Sequence, residues 1–214
     1  MKDWWQDTFP QGKQKITITD SQGYPVQIAY GEKGSGKPLF LLHGIGSWSY
    51  NWRYLIEPLS KYFRVICFDA KGFGFSEKPL HREETTGHQV IELQRIIAAL
   101  CVSSACPLAQ RVRRTKDIEP VAILSESLGA LIALAFAEEY PELVSRLMVV
   151  NVPIFAKKLP YWGMSILAQA PLELIEVIDK LRLSYLFAPL IRAIMAIERR
   201  NVLYDPSMLT QENV

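Results

Sequence analysis

One serine of this sequence stands where a serine could act as a nucleophile. The short apolar run Val121–Leu124 is typical of a buried strand, and Ser125–Gly129 leads from it directly into residues that favour a helix. A sharp strand-to-helix turn lifts its central serine above the sheet edge, and the first amides of the helix favour a developing negative charge there. The pattern therefore predicts Ser127 as a nucleophile, with a plain helix cap as the alternative interpretation.

A glycine-rich loop could serve the same reaction. The segment His43–Gly46 follows the apolar run Pro38–Leu42, and in a parallel sheet its place is beside the serine turn. We expect the backbone amides of Ile45 and Leu128 to donate hydrogen bonds to the reacting carbonyl oxygen, each worth on the order of 3 kcal/mol in the transition state. The supporting residues of the two motifs are His43, Gly44, Gly46 and Gly129. His43 is interpreted as a structural member of its loop and not as a base.

A third loop follows the next apolar run, Val65–Phe68. Its sequence, Asp69-Ala70-Lys71-Gly72-Phe73-Gly74-Phe75-Ser76, has the spacing DxxGxGxS. Taken in order, the HGxG loop, this loop and the serine turn resemble the α/β-hydrolase superfamily, specifically its lid-bearing branch of epoxide hydrolases, haloalkane dehalogenases, carbon–carbon bond hydrolases and esterases. The resemblance covers Gly23–Asn151 and departs from the family's GxSxG pattern at Ser125, which replaces the first glycine.

The resemblance implies a reaction class. Dehalogenases and epoxide hydrolases of this branch have an aspartate at the turn, whereas this chain has Ser127, which implies acyl transfer to water. The implied substrate is small, apolar and ester-like, with a thioester, an amide or an activated carbon–carbon bond as less frequent alternatives. No cofactor and no metal are expected. Gly72-Phe73-Gly74 lacks the remaining features of a dinucleotide site.

The surrounding pattern predicts a fold that could hold these loops at one sheet edge. Alternating residues over Lys15–Thr19 and Pro25–Tyr30 indicate an antiparallel hairpin, and Gly31–Lys37 is expected to be flexible. Apolar runs that suit strands buried on both faces recur at Pro38–Leu42, Val65–Phe68, Val121–Leu124 and Leu147–Val150. Helical patterns lie at Trp48–Tyr62, Gly87–Leu100 and Leu128–Tyr140. The expected fold class is α/β, a doubly wound, mostly parallel sheet with an N-terminal antiparallel hairpin and a helical lid, as in the α/β-hydrolase fold.

Two segments depart from this alternation. Residues 101–119 contain a basic run and are interpreted as a surface insertion within a core of residues 1–154. Residues 155–214 are interpreted as a helical lid or cap segment. Its apolar residues suggest a pocket, although a hydrophobic core would use the same residues, which are Tyr161, Trp162, Met164, Ile166 and Leu167.

The base that would activate Ser127 is missing from the pattern. The family places an acid after strand six or seven and a histidine after the last strand, but this sequence has no histidine after His88. Asn151 lies where the strand-six acid would fall and carries no charge, and His81 and His88 are interpreted as a loop residue and a first-turn helix residue. Loss of the histidine of a serine triad costs about 10⁶ in kcat. The chain is therefore expected to be nearly inert.

Three interpretations of the missing acid and histidine stay open. The first is a C-terminally truncated serine hydrolase whose closing strands are absent. The second is a non-catalytic α/β-hydrolase-like binding or scaffold protein that keeps the pocket without turnover. The third is that a separately encoded piece supplies the remaining strands.

Composition limits the classes of binding partner that are expected for this chain. The 24 basic and 22 acidic residues give a formal net charge of +2 without long blocks of one sign, so no nucleic-acid partner is expected. The N-terminus lacks the apolar segment of a secretory signal, which favours a cytoplasmic location. The most apolar tract, Tyr185–Ile197, is shorter than the roughly 18–20 residues of a transmembrane helix, but its amphipathic character allows peripheral lipid contact. Cys67, Cys101 and Cys106 are expected to be reduced thiols.

Overall fold

The computed structural model describes residues 3–79, 85–101 and 118–153. The chain divides into two units, Met1–Ile154 and Phe155–Val214, and every described residue belongs to the first. The predicted lid over residues 155–214 lies outside the described residues, as do His81, Cys106 and nearly all of the predicted insertion at residues 101–119. The three loops that carry the predicted chemistry lie within the described part.

The described residues form a six-stranded sheet. Its strands are β1 Gln14–Thr19, β2 Pro25–Lys33, β3 Pro38–Leu42, β4 Arg64–Phe68, β5 Val121–Glu126 and β6 Val144–Val150. They lie side by side in the order β1-β2-β4-β3-β5-β6. β2 runs antiparallel to β1 and β4, whereas the pairs β3–β4, β3–β5 and β5–β6 are parallel. The prediction of a mostly parallel sheet with an N-terminal antiparallel hairpin is confirmed.

Helices connect the parallel strands and cover the sheet. They are α1 Trp4–Thr8, α2 Arg53–Leu59, α3 Thr86–Cys101 and α4 Leu128–Glu139, with 3₁₀ turns at Ser49–Trp52 and Pro141–Leu143. The bounds of α3 and α4 agree with the sequence patterns to within one residue. The predicted helix Trp48–Tyr62 is too long, because Trp48 has an extended backbone and the amide of Ser49 donates to the carboxylate of Asp69.

The stretch Gly31–Lys37, expected to be flexible, is a strand in its first half. β2 continues to Lys33 because its last residues pair with β4, where Gly31 lies opposite Cys67 and Lys33 opposite Val65. The Nε of Arg64 also donates to the carboxylate of Glu32 at 2.8 Å. The partner strand β4 lies more than thirty residues further along the chain. The local sequence pattern therefore could not predict this pairing.

Each face of the sheet has its own apolar core. On β3, Leu39 and Leu41 pack on one side with Trp52 and Ile56, next to α1 and α2. The alternate residues of the same strand, Phe40 and Leu42, pack on the other side against α3 and α4. Burial on both faces explains the continuous apolar runs of the central strands. The sheet is thereby held rigid where its carboxyl edge carries the predicted loops.

β6 departs from the expectation of a strand buried on both faces. Met148 is 50% exposed and Val150 is 46% exposed. Within the described residues β6 pairs on one side only, with β5, so its side chains lack the second neighbour that buries β3 and β5. Its apolar composition predicted a strand correctly but did not fix the strand's position at the end of the sheet order.

Candidate active site

Ser127 lies at the junction of β5 and α4 in a conformation that serine seldom adopts. Its backbone angles are φ 50° and ψ −121°, in the left-handed region that costs a residue other than glycine about 1–3 kcal/mol. Its amide donates to the carbonyl oxygen of Val150 at 3.0 Å, and its carbonyl accepts from the amide of Ala130 at 3.0 Å. β6 and α4 therefore hold the strained turn from both sides, and the serine is left partly exposed.

Ser125, which replaces the usual first glycine, does not need glycine's conformational freedom. It belongs to β5 and pairs in register with Leu42 of β3 and Val149 of β6. Its side chain is fully buried and its hydroxyl donates to the carbonyl oxygen of Met148 at 3.3 Å. The positive φ of the turn falls on Ser127 instead, so a serine at position 125 is compatible with the turn.

Two glycines bring the HGxG loop close to the serine turn Ser125–Gly129, here called the elbow. A β-carbon on Gly129, in the first turn of α4, would lie 2.6 Å from the carbonyl oxygen of His43 and 2.8 Å from that of Leu42. A β-carbon on Gly44 would lie 2.9 Å from the β-carbon of Ser127. Distances under 3.0 Å are too short for real carbon contacts, so both positions require glycine for close approach. The predicted juxtaposition of loop and serine is present in the structure.

The two predicted oxyanion donors directly follow the two residues of this contact, since Ile45 follows Gly44 and Leu128 follows Ser127. Leu128 is the first residue of α4, and Ile45 is in the loop with 59% of its surface exposed. Neither backbone amide has a hydrogen-bond acceptor among the described residues. Gly46 follows with φ 66°, which lets the loop turn back. The amides that directly follow Gly44 and Ser127 in the sequence are thus without a protein acceptor within the described residues.

Both ring nitrogens of His43 take part in hydrogen bonds with the backbone. Nε2 accepts from the amide of Ala70 at 3.0 Å, so the proton of the neutral ring is on Nδ1, which lies 2.8 Å from the carbonyl oxygen of Gly44. Burial is the main cause that lowers the pKa of His43 below 6.5, against the raising effects of the Gly44 carbonyl and of Asp69. A neutral ring with both nitrogens engaged agrees with its interpretation as a structural residue.

The DxxGxGxS loop acts as a scaffold beside the site. The fully buried carboxylate of Asp69 accepts from the amide of Ser49 at 2.8 Å, from the hydroxyl of Ser49 and from the amide of Phe75 at 2.7 Å. The hydroxyl of Ser76 donates to the carbonyl oxygen of Asp69 at 2.5 Å and accepts from the amide of Ala29 at 2.8 Å. These bonds tie the loop both to β2 and to the segment that follows the HGxG motif.

Sequence reasoning missed Glu126 and Asn51. The Oε1 atom of Glu126 accepts from the side-chain amide of Asn51 and lies 3.4 Å from the backbone nitrogen of Gly44, which donates to it. Burial raises the pKa of Glu126, while the Gly44 and Asn51 hydrogen bonds act in the opposite direction. An acidic residue directly before the nucleophile was the available signal, but its partner lies 75 residues away.

No base contacts the serine within the described part of the chain. His88 lies in the first turn of α3, where its backbone amide donates to the hydroxyl of Thr85 at 3.2 Å. Asn151 follows β6 with φ 52° and an exposed side chain. Among the residues that the structure describes, no hydrogen bond joins a histidine to the Ser127 hydroxyl.

Metal-binding clusters and membrane-spanning helices are absent from the described residues. No group of three His, Cys, Asp or Glu side chains in residues 3–79, 85–101 and 118–153 could hold a metal ion. None of the helices described is long and apolar enough to cross a membrane. Cys67 and Cys101 are free thiols, and burial raises the pKa of Cys101 to about 11.

Comparison with known proteins gives the family. Residues 37–176 match a family model described as the alpha/beta hydrolase fold. Epoxide hydrolase 4 of Homo sapiens is 30% identical over 140 residues, which are 64% of this chain and 34% of that protein. The 2-hydroxymuconate semialdehyde hydrolase of a Pseudomonas strain is 32% identical over 141 residues, which are 62% of this chain and 44% of that protein.

Among solved structures, an epoxide hydrolase from Bacillus megaterium superposes with a TM-score of 0.53 at 27% identity, covering 65% of this chain and 42% of that one. The chain thus spans between a third and a half of the length of these relatives. The family match extends over the HGxG loop, the DxxGxGxS loop and the serine elbow, the three features that the fold brings to one sheet edge. The chain therefore belongs to the alpha/beta-hydrolase fold family.

Proposed function

We propose that this chain carries the nucleophile of a serine hydrolase, and that Ser127 attacks the carbonyl carbon of a small, apolar, ester-like substrate. The observation that carries the proposal is the left-handed backbone of Ser127 at the end of β5, against which the HGxG loop packs closely because position 44 has no side chain. We assign the oxyanion donors to the amides of Ile45 and Leu128, which directly follow Gly44 and Ser127 in the sequence. Strained residues of this kind are concentrated at functional sites.

The proposed chemistry has two steps. The Oγ of Ser127 bonds to the carbonyl carbon and its proton passes to a base, while the amides of Ile45 and Leu128 stabilise the negative oxygen. The intermediate then expels the alcohol, which takes up a proton, and water hydrolyses the resulting acyl-serine. The base lies outside the described residues in this proposal, because both ring nitrogens of His43 are engaged.

The serine favours an acyl substrate over an epoxide. Several relatives are named epoxide hydrolases, and others are named for the hydrolysis of 2-hydroxymuconate semialdehyde or 2-hydroxy-6-oxo-2,4-heptadienoate. A serine forms an ester with an acyl group, which water can hydrolyse at its carbonyl carbon. Opening an epoxide with a serine would give an ether, which has no carbonyl for water to attack. Ser127 therefore supports the acyl-transfer branch of the family's chemistry.

Turnover of p-nitrophenyl acetate and butyrate, with and without added imidazole, tests the proposal. Release of p-nitrophenolate above background is expected to depend on Ser127 and to increase when imidazole supplies a base. Ser127→Ala should remove that increment, whereas Ser145→Ala, an exposed serine of β6, should retain it. Equal rates for the Ser127→Ala variant and the unmodified chain would rule out Ser127 as the nucleophile.

A second candidate is a non-catalytic binding or scaffold protein. It is favoured by the absence of a histidine bonded to Ser127 within the described residues. A fluorophosphonate probe separates the two candidates, because it reacts with serines that are activated as nucleophiles. Labelling that maps to Ser127 supports the hydrolase, whereas an unlabelled protein that still binds apolar esters supports the scaffold.

A further inference from the structure

We propose that Glu126 is a positioning residue whose carboxyl group clasps both ends of the loop His43–Asn51 and thereby fixes the Ile45 amide beside Ser127. The inference rests on the proposed function, since it assigns the control of an oxyanion donor that the function requires. It goes beyond that function because it places the control in the residue immediately before the nucleophile. Elbow and loop would then be assembled as one unit.

The contacts of Glu126 reach both ends of this loop. One carboxyl oxygen, Oε1, accepts from the side-chain amide of Asn51 at the end of the loop and from the backbone amide of Gly44 near its start, the latter at 3.4 Å. Asn51 is itself held in the 3₁₀ turn through its amide, which donates to the carbonyl oxygen of Trp48 at 3.0 Å. A single side chain of the elbow thus closes a loop of nine residues.

The peptide group that carries the Ile45 amide is held through its carbonyl oxygen, which belongs to Gly44. The carbonyl oxygen of Gly44 lies 2.8 Å from Nδ1 of His43 and accepts from the amide of Ser47 at 3.3 Å. Because a trans peptide is planar, the N–H of Ile45 must point away from that carbonyl. His43 sets the orientation of this peptide plane, and Glu126 holds the preceding peptide group through the Gly44 amide. Together they fix the direction of the Ile45 amide.

The clasp needs an acceptor oxygen and does not need a negative charge. Glu126 is partly buried, and a carboxylate there would oppose negative charge developing on a nearby oxyanion. The groups that face it are the Gly44 amide of the loop and the Asn51 side chain of the 3₁₀ turn, both neutral donors. Glutamine at position 126 would keep an acceptor at the same place, whereas alanine would remove it.

Substitution at position 126 distinguishes positioning from a bulk structural effect. Glu126→Ala is expected to lower the Ser127-dependent rate of ester turnover or fluorophosphonate labelling by about tenfold to a hundredfold, the range that a misplaced group can cost. Glu126→Gln should stay within about threefold of the unmodified chain, because the acceptor is retained. Asn51→Ala should give an intermediate loss. Glu142→Gln, at an exposed position after α4, is the matched control for loss of a carboxylate.

Amide hydrogen exchange at Gly44 and Ser47, whose amides donate to Glu126 and to the carbonyl oxygen of Gly44, gives a second measurement that needs no catalysis. Exchange at both amides should be faster in Glu126→Ala by about tenfold or more, as expected when a loop loses its tether, and unchanged in Glu126→Gln. Unaltered exchange in Glu126→Ala, or equal acceleration in both variants, would overturn the inference. A chain without any Ser127-dependent reaction would instead contradict the proposed function, and the exchange result would still decide the role of Glu126.

Discussion

Gly44 and Ser127 lie so close that no side chain fits between them. A β-carbon added to Gly44 would be 2.9 Å from the β-carbon of Ser127 and 3.4 Å from its Oγ. Gly44 does not have a positive φ, so conformational freedom is not the reason for glycine at this position. The reason is the close approach of loop and elbow, which a methyl group at position 44 would prevent.

Gly44→Ala should therefore impair the site more than it impairs folding. The added methyl group must push the loop away from Ser127, and we expect the Ser127-dependent rate to fall about 10²-fold and the free energy of unfolding to fall by about 1–3 kcal/mol. Ester turnover and urea unfolding measure the two effects. Gly87→Ala is the matched control, because its β-carbon meets nothing closer than 3.8 Å at the start of α3. A Gly44→Ala variant with an undiminished rate would show that the loop can yield.

Ser125→Gly should restore the usual glycine without improving the site. Ser125 is already in a strand conformation, so glycine relieves no strain there. The substitution removes the hydrogen bond to the carbonyl oxygen of Met148 and adds backbone freedom to the unfolded chain. We expect a loss of roughly 1–2 kcal/mol in unfolding free energy, with the Ser127-dependent rate unchanged.

Gly129→Ala, at the other end of the motif, is the comparison for Ser125→Gly. It adds a side chain to a glycine that has no room for one. Its β-carbon would meet the backbone carbonyls of His43 and Leu42, which cannot rotate away. Both stability and rate should fall. A rate increase in Ser125→Gly would mean that position 125 is strained after all, against its regular pairing in β5.

The features of this site that depend on local sequence were predictable, whereas those that depend on long-range contacts were not. The elbow and the two loops were predictable, because buried strands have continuous apolar runs and the loops directly follow them. The Glu126–Asn51 contact was not predictable, since it depends on β3 and β5 being neighbours while their residues are far apart in the chain. The exposure of β6 was missed for the same reason: strand composition does not fix strand order.

Lys71 shows the same limit within a recognised motif. The DxxGxGxS pattern gave it no special role, yet its ammonium group is buried between the carboxylates of Asp20 at 3.2 Å and Glu92 at 2.5 Å. These two acids lie in the turn after β1 and in α3. The fold brings these three separate segments together. A lysine is needed in this loop because its ammonium group then lies between two buried carboxylates.

Lys71→Met should consequently be strongly destabilising. It leaves two buried carboxylates without the cation between them, and breaking a buried ion pair in this way typically costs about 3–5 kcal/mol. Urea unfolding monitored by circular dichroism measures the loss. Lys33→Met is the matched control, because Lys33 pairs with Glu57 at the surface and its removal should cost far less. Adding Glu92→Gln to Lys71→Met should recover part of the loss, and no recovery would contradict the charge argument.

The pH dependence of stability tests whether His43 could act as a base. Its folded-state pKa lies below the ordinary value of 6.5, chiefly because it is buried. As the pH falls below about 6.5, the unfolded chain takes up a proton at His43 that the folded protein does not, so stability is lost down to the folded-state pKa. The contribution is fully present above pH 6.5.

His43→Gln should weaken this dependence while keeping an acceptor for the amide of Ala70. Between pH 7 and 5, the unmodified chain should lose more unfolding free energy than the variant, by at most about 1.4 kcal/mol per pH unit. His88→Gln, in the first turn of α3, is the control for removing a histidine elsewhere. Parallel pH profiles for His43→Gln and the unmodified chain would mean that His43 protonates in the folded protein as readily as in the unfolded one. In that case its Nε2 could exchange protons, and His43 would become a candidate base for Ser127.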